Sequence, residues 1–193
     1  MNISPAKENI LKKIRQALSE STPLPFPGIE GTTSVFKIAE QEPELEFAEQ
    51  FTRLGGKFVY CLNHQELASY LNNLAIQQKW NKIFCKEEAL KSILKQHLFD
   101  NFCTSPLADC DAAITTCELL VARTGTMVLS AAQESGRTVS VYAPIHICVA
   151  YTSQLVPDVK EALQHMQAKY GDKLPSFMSF ATGPSRTADI EKT

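Results

Sequence analysis

The stretch from Thr182 to Ile190 reads T-G-P-S-R-T-A-D-I and combines residue types suited to holding an anion. Glycine followed by proline permits a sharp turn, and a helix could begin just beyond it. Backbone amides at a helix start, together with hydroxyls and an arginine, bind phosphate or carboxylate. We therefore expect an anionic small molecule to contact Gly183, Ser185, Arg186 and Thr187. Asp189 could pair with Arg186, bind a ligand hydroxyl as a catalytic acid or base, or favour the positive end of the helix.

A second candidate is the turn Thr124-Gly125-Thr126, which comes directly before an apolar run. Threonine and glycine in such a turn can present hydroxyls and amides to a phosphate, although a turn of this kind can also be only a loop. Arg137 follows another turn, and we expect it to return to the same end of the sheet. The alternative for Arg137 is a solvated surface side chain.

His146 is the second catalytic candidate, because it lies in the apolar run P-I-H-I-C. If that run alternates, His146 and Cys148 share one face, where a histidine could titrate near neutral pH or contact a ligand. The alternative is a half-buried histidine bonded to backbone. Asp109 and Asp111 could serve acid–base chemistry or bind a cation, but aspartates before a strand are more typical turn formers.

The cysteine pattern predicts no metal site. None of the six cysteines forms a C-x-x-C pair, which argues against a zinc ribbon or an iron–sulfur cluster in this chain. Three of them recur every seven residues, at 103, 110 and 117, a spacing that we interpret as chance. We expect reduced structural thiols and no cofactor. Nucleophile-elbow, Walker A and Rossmann glycine motifs are also absent, which disfavours the corresponding hydrolases, NTPases and dehydrogenases.

Composition excludes several classes of partner. The chain has 193 residues, 44% of them hydrophobic, and a formal net charge of −2. There is no basic excess for nucleic acid. The sequence shows no signal-peptide pattern at its start and no apolar run long enough for a membrane span. These features predict a cytoplasmic protein that binds neither nucleic acid nor membrane.

The N-terminal part is predicted to be an arm. We expect residues 1–20 to form a helical arm, with the helix starting at Ser4-Pro5. We expect residues 21–42 to form a proline-rich linker. The apolar stripe of the helix needs a partner, either the domain surface or a second subunit, so a homo-oligomer formed through the arm is possible.

Residues 43–193 are predicted to form one α/β domain. Short apolar runs alternate with amphipathic patterns, which indicates a mostly parallel sheet with helices on both faces. Strands are expected at Lys57–Cys61, Lys82–Cys85, Ala112–Thr115, Thr126–Ser130, Thr138–Tyr142, Ile145–Tyr151 and Phe177–Ala181. Short links in the second half allow some antiparallel pairing.

The order of these segments resembles the LUD-domain family of lactate-utilisation proteins, specifically the protein C type. The specific part is the string G-P-S-R-T-A-D-I, and the T-G-T turn supports it by its order and spacing. The resemblance implies an α/β sandwich like that of the ribose-phosphate isomerase and CoA-transferase group. It also implies a domain shortened at its C-terminus, since family members usually continue further.

The resemblance further implies a role in bacterial oxidation of L-lactate to pyruvate, alongside iron–sulfur partner proteins. Three hypotheses follow from it and from the residues. The chain is an accessory protein that binds an anionic small molecule, or an isomerase- or transferase-like enzyme on a phosphorylated or CoA-like substrate, or an assembly subunit. Whether it is an enzyme stays open.

Overall fold

The computed structural model describes residues 5–19 and 41–183. It divides the chain into two compact units, Met1–Ile38 and Ala39–Thr193. In the first unit, helix α1 spans Pro5–Ser19, as the apolar spacing predicted, and proline suits its first turn. The predicted linker at 21–42 lies almost wholly outside the described residues, so the domain boundaries stay predictions.

Five helices lie in the described part of the second unit. They are α2 (Pro43–Arg53), α3 (His64–Gln78), α4 (Glu88–Gln96), α5 (Val139–Tyr142) and α6 (Val159–Tyr170). The start of α3 is fixed by Asn63, whose side chain accepts a hydrogen bond of 2.9 Å from the Glu66 amide. Asp158 caps α6 in the same way through the Lys160 amide, at 2.7 Å.

A three-stranded parallel sheet comes first, in the order β1-β2-β5. Its strands are β1 (Ile83–Phe84), β2 (Ala112–Thr116) and β5 (His146–Val149). In the register of β2 with β5, Ala113 pairs with His146 and Thr115 with Cys148. These four side chains therefore share one face of the sheet, because successive residues of a strand alternate between faces.

A second, four-stranded sheet has the order β6-β3-β4-β7. Its strands are β3 (Leu119–Val121), β4 (Thr126–Ser130), β6 (Leu155–Val156) and β7 (Met178–Ala181). β3 runs parallel to β6, whereas β4 runs antiparallel to both β3 and β7. Two residues, Cys117 and Glu118, connect β2 of the first sheet to β3 of the second.

The core consists of several apolar clusters around the two sheets. The largest packs the parallel sheet against α3 and α4, with Leu94 and Phe99 fully buried. Another packs α6 against the mixed sheet through Ala162 and Met166. A fully buried leucine stabilises the fold by about 1.5–3 kcal/mol, so these clusters contribute much of the stability of the two sheets.

The α/β class and the mostly parallel pairing are confirmed, but two predicted strands are wrong. Lys57–Cys61 forms no strand, because no strand of the described residues pairs with it and Tyr60 remains 55% exposed. Thr138–Tyr142 contains helix α5 instead. There the Thr138 carbonyl accepts from the amides of Val141 and Tyr142, and buried Val139 packs with Cys110 and Ala113. Tertiary packing thus overrides the β-branched composition.

None of the helices in residues 5–19 and 41–183 is long and apolar enough to cross a membrane.

Candidate functional site

The Thr124-Gly125-Thr126 turn joins β3 to β4 and carries a chain of hydroxyl contacts. Thr126, which is 1% exposed, has its Oγ1 2.6 Å from Thr124 Oγ1 and 2.6 Å from Thr182 Oγ1. Since buried hydroxyls need partners, this bonding fixes three side chains at one end of the mixed sheet. Thr182 follows the last residue of β7, so the C-terminal motif begins here.

Gly125 allows helix α2 to pack directly against the turn. Its φ is +59°, and a Cβ placed on it would lie 2.6 Å from the backbone nitrogen of Phe51. Gly183, with φ +75°, approaches the C-terminal end of the same helix, because a Cβ there would lie 3.0 Å from Cβ of Leu54, the residue that follows Arg53. Both glycines are therefore required by close approach to α2 as well as by backbone conformation.

The remaining residues of the motif, Ser185, Arg186, Thr187 and Asp189, lie outside the described residues. The structure brings together Thr124, Gly125, Thr126 and Gly183 of the predicted ligand-binding set. The first two residues of the motif, Thr182 and Gly183, thus lie beside the T-G-T turn, as expected.

Arg137 is not brought to this end of the sheet, contrary to expectation. Its Nη2 donates to Ser176 Oγ at 2.5 Å, and its guanidinium carbon lies 5.8 Å from the centre of the Phe177 ring. Residues 176 and 177 precede β7, which pairs with β4 so that Ser130 faces Met178. They therefore flank the opposite end of β4 from Thr126, about 13 Å away at 3.3 Å per residue.

His146 lies on the parallel sheet and bonds to a side chain rather than to backbone. Its Nε2 is 2.8 Å from Thr115 Oγ1, and this hydroxyl donates to the Thr116 carbonyl at 2.9 Å. Burial lowers the pKa of His146 below its usual value of 6.5, although the nearby charge of Glu87 opposes this. Burial therefore favours the neutral form of the imidazole.

Glu87 is a polar residue of this region that sequence reasoning missed. It is 6% exposed, and its Oε2 accepts from the Thr116 amide at 2.9 Å and from the Thr116 hydroxyl at 2.7 Å. Its Oε1 is buried and has no hydrogen-bond partner in the described part of the chain. The available signal was its position three residues after β1, at the carboxyl end of a parallel strand, where ligands commonly bind.

Asp109 ends a short 3₁₀ helix, Leu107–Asp109, and the Asp111 carboxylate links two strands rather than closing a local turn. Asp111 Oδ2 accepts from the amides of Asn81 and Lys82 at 2.8 and 2.9 Å. These bonds lower the pKa of the Asp111 carboxyl and tie the start of β2 to the start of β1. Within residues 5–19 and 41–183, no group of three or more His, Cys, Asp or Glu side chains is placed to hold a metal ion.

Comparison with known proteins identifies the fold and the family. The family model described as the LUD domain matches residues 45–193, which include the T-G-T turn and the whole C-terminal motif. The chain belongs to the LUD-domain family. The resemblance inferred from the motifs is thereby confirmed.

Curated relatives of this LUD-domain protein match part of its length. It is 37% identical over 83 residues to "Lactate utilization protein C" of Halalkalibacterium halodurans, covering 42% of this chain and 36% of the relative. It is 39% identical over 83 residues to "Lactate utilization protein C 1" of Bacillus mycoides, with the same two shares. The match thus spans about a third of the length of these relatives.

A solved structure supports the fold of the LUD-domain protein. A DUF162 family protein from Deinococcus radiodurans superposes with a TM-score of 0.61 at 19% identity, covering 76% of this chain and 90% of that chain. At this identity the similarity concerns the α/β fold alone.

Proposed function

We propose that this LUD-domain protein acts in bacterial lactate utilisation as an accessory protein that binds an anionic small molecule. Family membership and the names of the curated relatives support the pathway. The observation that carries the binding site is the contact between Thr126 and Thr182. It places the T-G-T turn beside the start of the motif that contains the arginine.

The anion site combines two groups of donors. Thr124, which is half-buried, contributes its hydroxyl from the turn, whereas Gly125 and Thr126 shape the turn, because the Gly125 amide already donates to the Ala122 carbonyl and the buried Thr126 hydroxyl already contacts Thr124 and Thr182. Gly183, Ser185, Arg186 and Thr187 contribute amides, hydroxyls and a guanidinium fork, which binds carboxylate or phosphate with two parallel hydrogen bonds. Arg137 is left out of this site because it lies at the opposite end of β4.

A thermal-shift titration tests the site. L-lactate, pyruvate, phosphate and coenzyme A serve as probes, because a ligand that prefers the folded state raises the melting temperature. We expect Arg186→Ala to weaken binding of the responding anion by on the order of 1.5–3 kcal/mol, roughly 10- to 150-fold. Arg137→Ala is the matched control and should bind normally. Unchanged binding of every probe in Arg186→Ala would contradict the assignment.

The pathway is tested separately by growth. A strain that lacks this protein should grow poorly on L-lactate and normally on pyruvate, and equal growth on both would contradict the role. Association with iron–sulfur proteins, proposed from the family resemblance, is tested by purification of the tagged protein from lactate-grown cells. Recovery of the tagged protein without iron–sulfur proteins would argue against that association.

A second candidate is an isomerase- or transferase-like enzyme that acts on a phosphorylated or CoA-like substrate. The imidazole of His146, which is half-buried and bonded to Thr115, favours it, since a histidine whose pKa burial lowers can exchange protons with a substrate. Turnover of sugar phosphates or acyl-CoA that is lost in His146→Gln, with the fold intact, would support this function. Full activity in that variant would exclude His146 as the acid or base.

A further inference from the structure

Two histidines from different helices meet at the surface of the second unit. His64 is the first residue of α3, and His97 directly follows the last residue of α4. Their ring centres are 5.7 Å apart, and the ring planes form an angle of 38°. Both residues are half-buried, so their side chains are partly open to solvent. The two helix ends therefore bring two imidazoles together at a place that a small ion can reach.

Each ring is held by a partner on one of its two nitrogens. His64 Nε2 lies 3.1 Å from Tyr151 Oη, and His97 Nδ1 lies 3.2 Å from Gln65 Oε1. The other two nitrogens, Nδ1 of His64 and Nε2 of His97, form no hydrogen bond with residues 5–19 or 41–183. A histidine that binds a metal ion usually donates its second ring N–H to such an oxygen, which fixes the orientation of the ring.

The separation of the two rings suits one metal ion bound by both. Zn–N bonds of about 2.0–2.1 Å in tetrahedral geometry place two imidazole ring centres roughly 5 Å apart. The 5.7 Å between His64 and His97 is close to this value. Because both side chains are partly exposed, a small rotation about their side-chain bonds brings the rings to the required distance. A single ion can then bridge the start of α3 and the end of α4.

The helix ends that carry the pair are compatible with a bound cation. His97 lies at the C-terminal end of α4, where the backbone carbonyls carry partial negative charge. In the first turn of α3, the carboxylate of Glu66 accepts from the Leu62 amide at 2.7 Å and offsets the positive end of that helix. Lys95 in the last turn of α4 is paired with Asp100 at 3.0 Å. The surroundings of the pair therefore carry no excess of positive charge in the described part of the chain.

We propose that His64 and His97 form a binding site for a divalent transition metal ion such as Zn²⁺, with water molecules as the remaining ligands. Imidazole suits Zn²⁺, Ni²⁺ and Cu²⁺, whereas Mg²⁺ and Ca²⁺ prefer oxygen ligands. Two protein ligands leave coordination positions open, so the ion can exchange or take a further ligand. Neither histidine belongs to the proposed anion site.

The test is an NMR titration of the histidine ring nitrogens in the ¹⁵N-labelled full chain. ZnCl₂ is the probe, and MgCl₂ at matched ionic strength is the comparison. We expect ZnCl₂ to shift the ring resonances of His64 and His97 together, along one saturation curve, and MgCl₂ to leave them unchanged. No saturable shift with ZnCl₂, or a shift of only one of the two rings, overturns the proposal.

Histidine variants decide whether the pair acts as one site. His64→Gln and His97→Gln should each weaken zinc binding by about tenfold or more at the ring that remains, because one ligand then holds the ion alone. His165→Gln is the matched control, since His165 is an exposed histidine on α6, and it should leave the affinity unchanged. Full affinity in either His64→Gln or His97→Gln would assign the ion to other groups, such as the cysteine thiols, and would overturn the proposal.

Thermal unfolding provides an independent test. An ion that binds the folded state raises the melting temperature, so ZnCl₂ should raise it in the wild type and EDTA should reverse the effect. The double variant His64→Gln/His97→Gln should show no rise, and its melting temperature in EDTA reports whether the fold itself is intact. An equal rise in the double variant and the wild type would overturn the proposal.

Discussion

Thr126 and Thr182 meet through their hydroxyl oxygens at 2.6 Å, although 56 positions separate them in the chain. The contact joins the first residue of β4 to the residue after β7. It is local in space and distant in sequence. It therefore reports whether the final strand has paired in the correct register.

Thr126→Val should destabilise the protein by about 1–3 kcal/mol, because two hydroxyl contacts of a buried side chain are lost and their partners remain. The shape of the side chain is nearly unchanged, which isolates the hydroxyl. Urea unfolding followed by circular dichroism measures the effect. Thr104→Val is the control on an exposed threonine, and equal loss of stability in both variants would mean that the contact contributes nothing.

Gly125→Ala should cost more free energy of unfolding than Gly136→Ala. Both glycines have positive φ, at +59° and +68°, so each alanine introduces backbone strain of about 1–2 kcal/mol. Only the Cβ at 125 would also collide with α2, because the space around residue 136 is open to 4 Å. Equal destabilisation of the two variants would show that α2 can move away from the turn.

Glu118 should make the protein sensitive to acid. Burial alone would raise the pKa of Glu118, but hydrogen bonds from Lys169, Ser130 and Tyr170 lower it below the usual 4.5. A carboxyl with a lowered folded-state pKa stabilises the fold above pH 4.5, and that contribution is lost as the pH falls through the folded-state value. Glu118→Gln should have a lower free energy of unfolding than wild type at pH 7. Between pH 5 and pH 3, its free energy of unfolding should decrease less than that of wild type.

The matched control for this measurement is Glu49→Gln on the exposed side of α2. It should follow the wild-type acid profile. If Glu118→Gln instead shows the wild-type profile, other carboxylates account for the acid sensitivity.

His146 should contribute a second pH dependence, at higher pH. Its folded-state pKa lies below 6.5, so the unfolded chain binds more protons between the two values and stability falls as the pH drops below about 6.5. Each pH unit of difference is equivalent to about 1.4 kcal/mol. In His146→Gln, the decrease in unfolding free energy from pH 7.5 to pH 5 should be smaller than in wild type. An equal decrease in the variant and the wild type would mean that another titrating group causes this pH dependence.

The sequence predicted the elements whose patterns are local. β4 was predicted at Thr126–Ser130 and lies there, and the helix ending at Gly171 was equally clear because its apolar spacing is regular. β3 and β6 were missed since three- and two-residue strands give no periodicity. β3 is a strand because it pairs with β4 and β6, and β6 because it pairs with β3, and such pairing is not a property of either segment alone.

The candidate site was predictable only where a local pattern of residues defines it. The T-G-T turn and the C-terminal motif are recognisable by residue type, and the structure brings the first part of the motif to the turn. The position of Arg137 was not predictable, because the segment after it was expected to be a strand and forms α5, and Arg137 donates to Ser176. The position after β1 pointed to this region, but residue type could not separate Glu87 from Glu88, because nothing in K-E-E indicates which glutamate is buried.

The sequence position of β7 has a consequence for synthesis in the cell. β4 is complete at residue 130, but its partner emerges from the ribosome only after residue 181. During that interval one edge of β4 has no partner from this chain, and its backbone N–H and C=O groups are available to pair with neighbouring chains. Slower translation at this stage should increase aggregation of the nascent protein, and chaperone capture of the ribosome-bound intermediate should increase the yield.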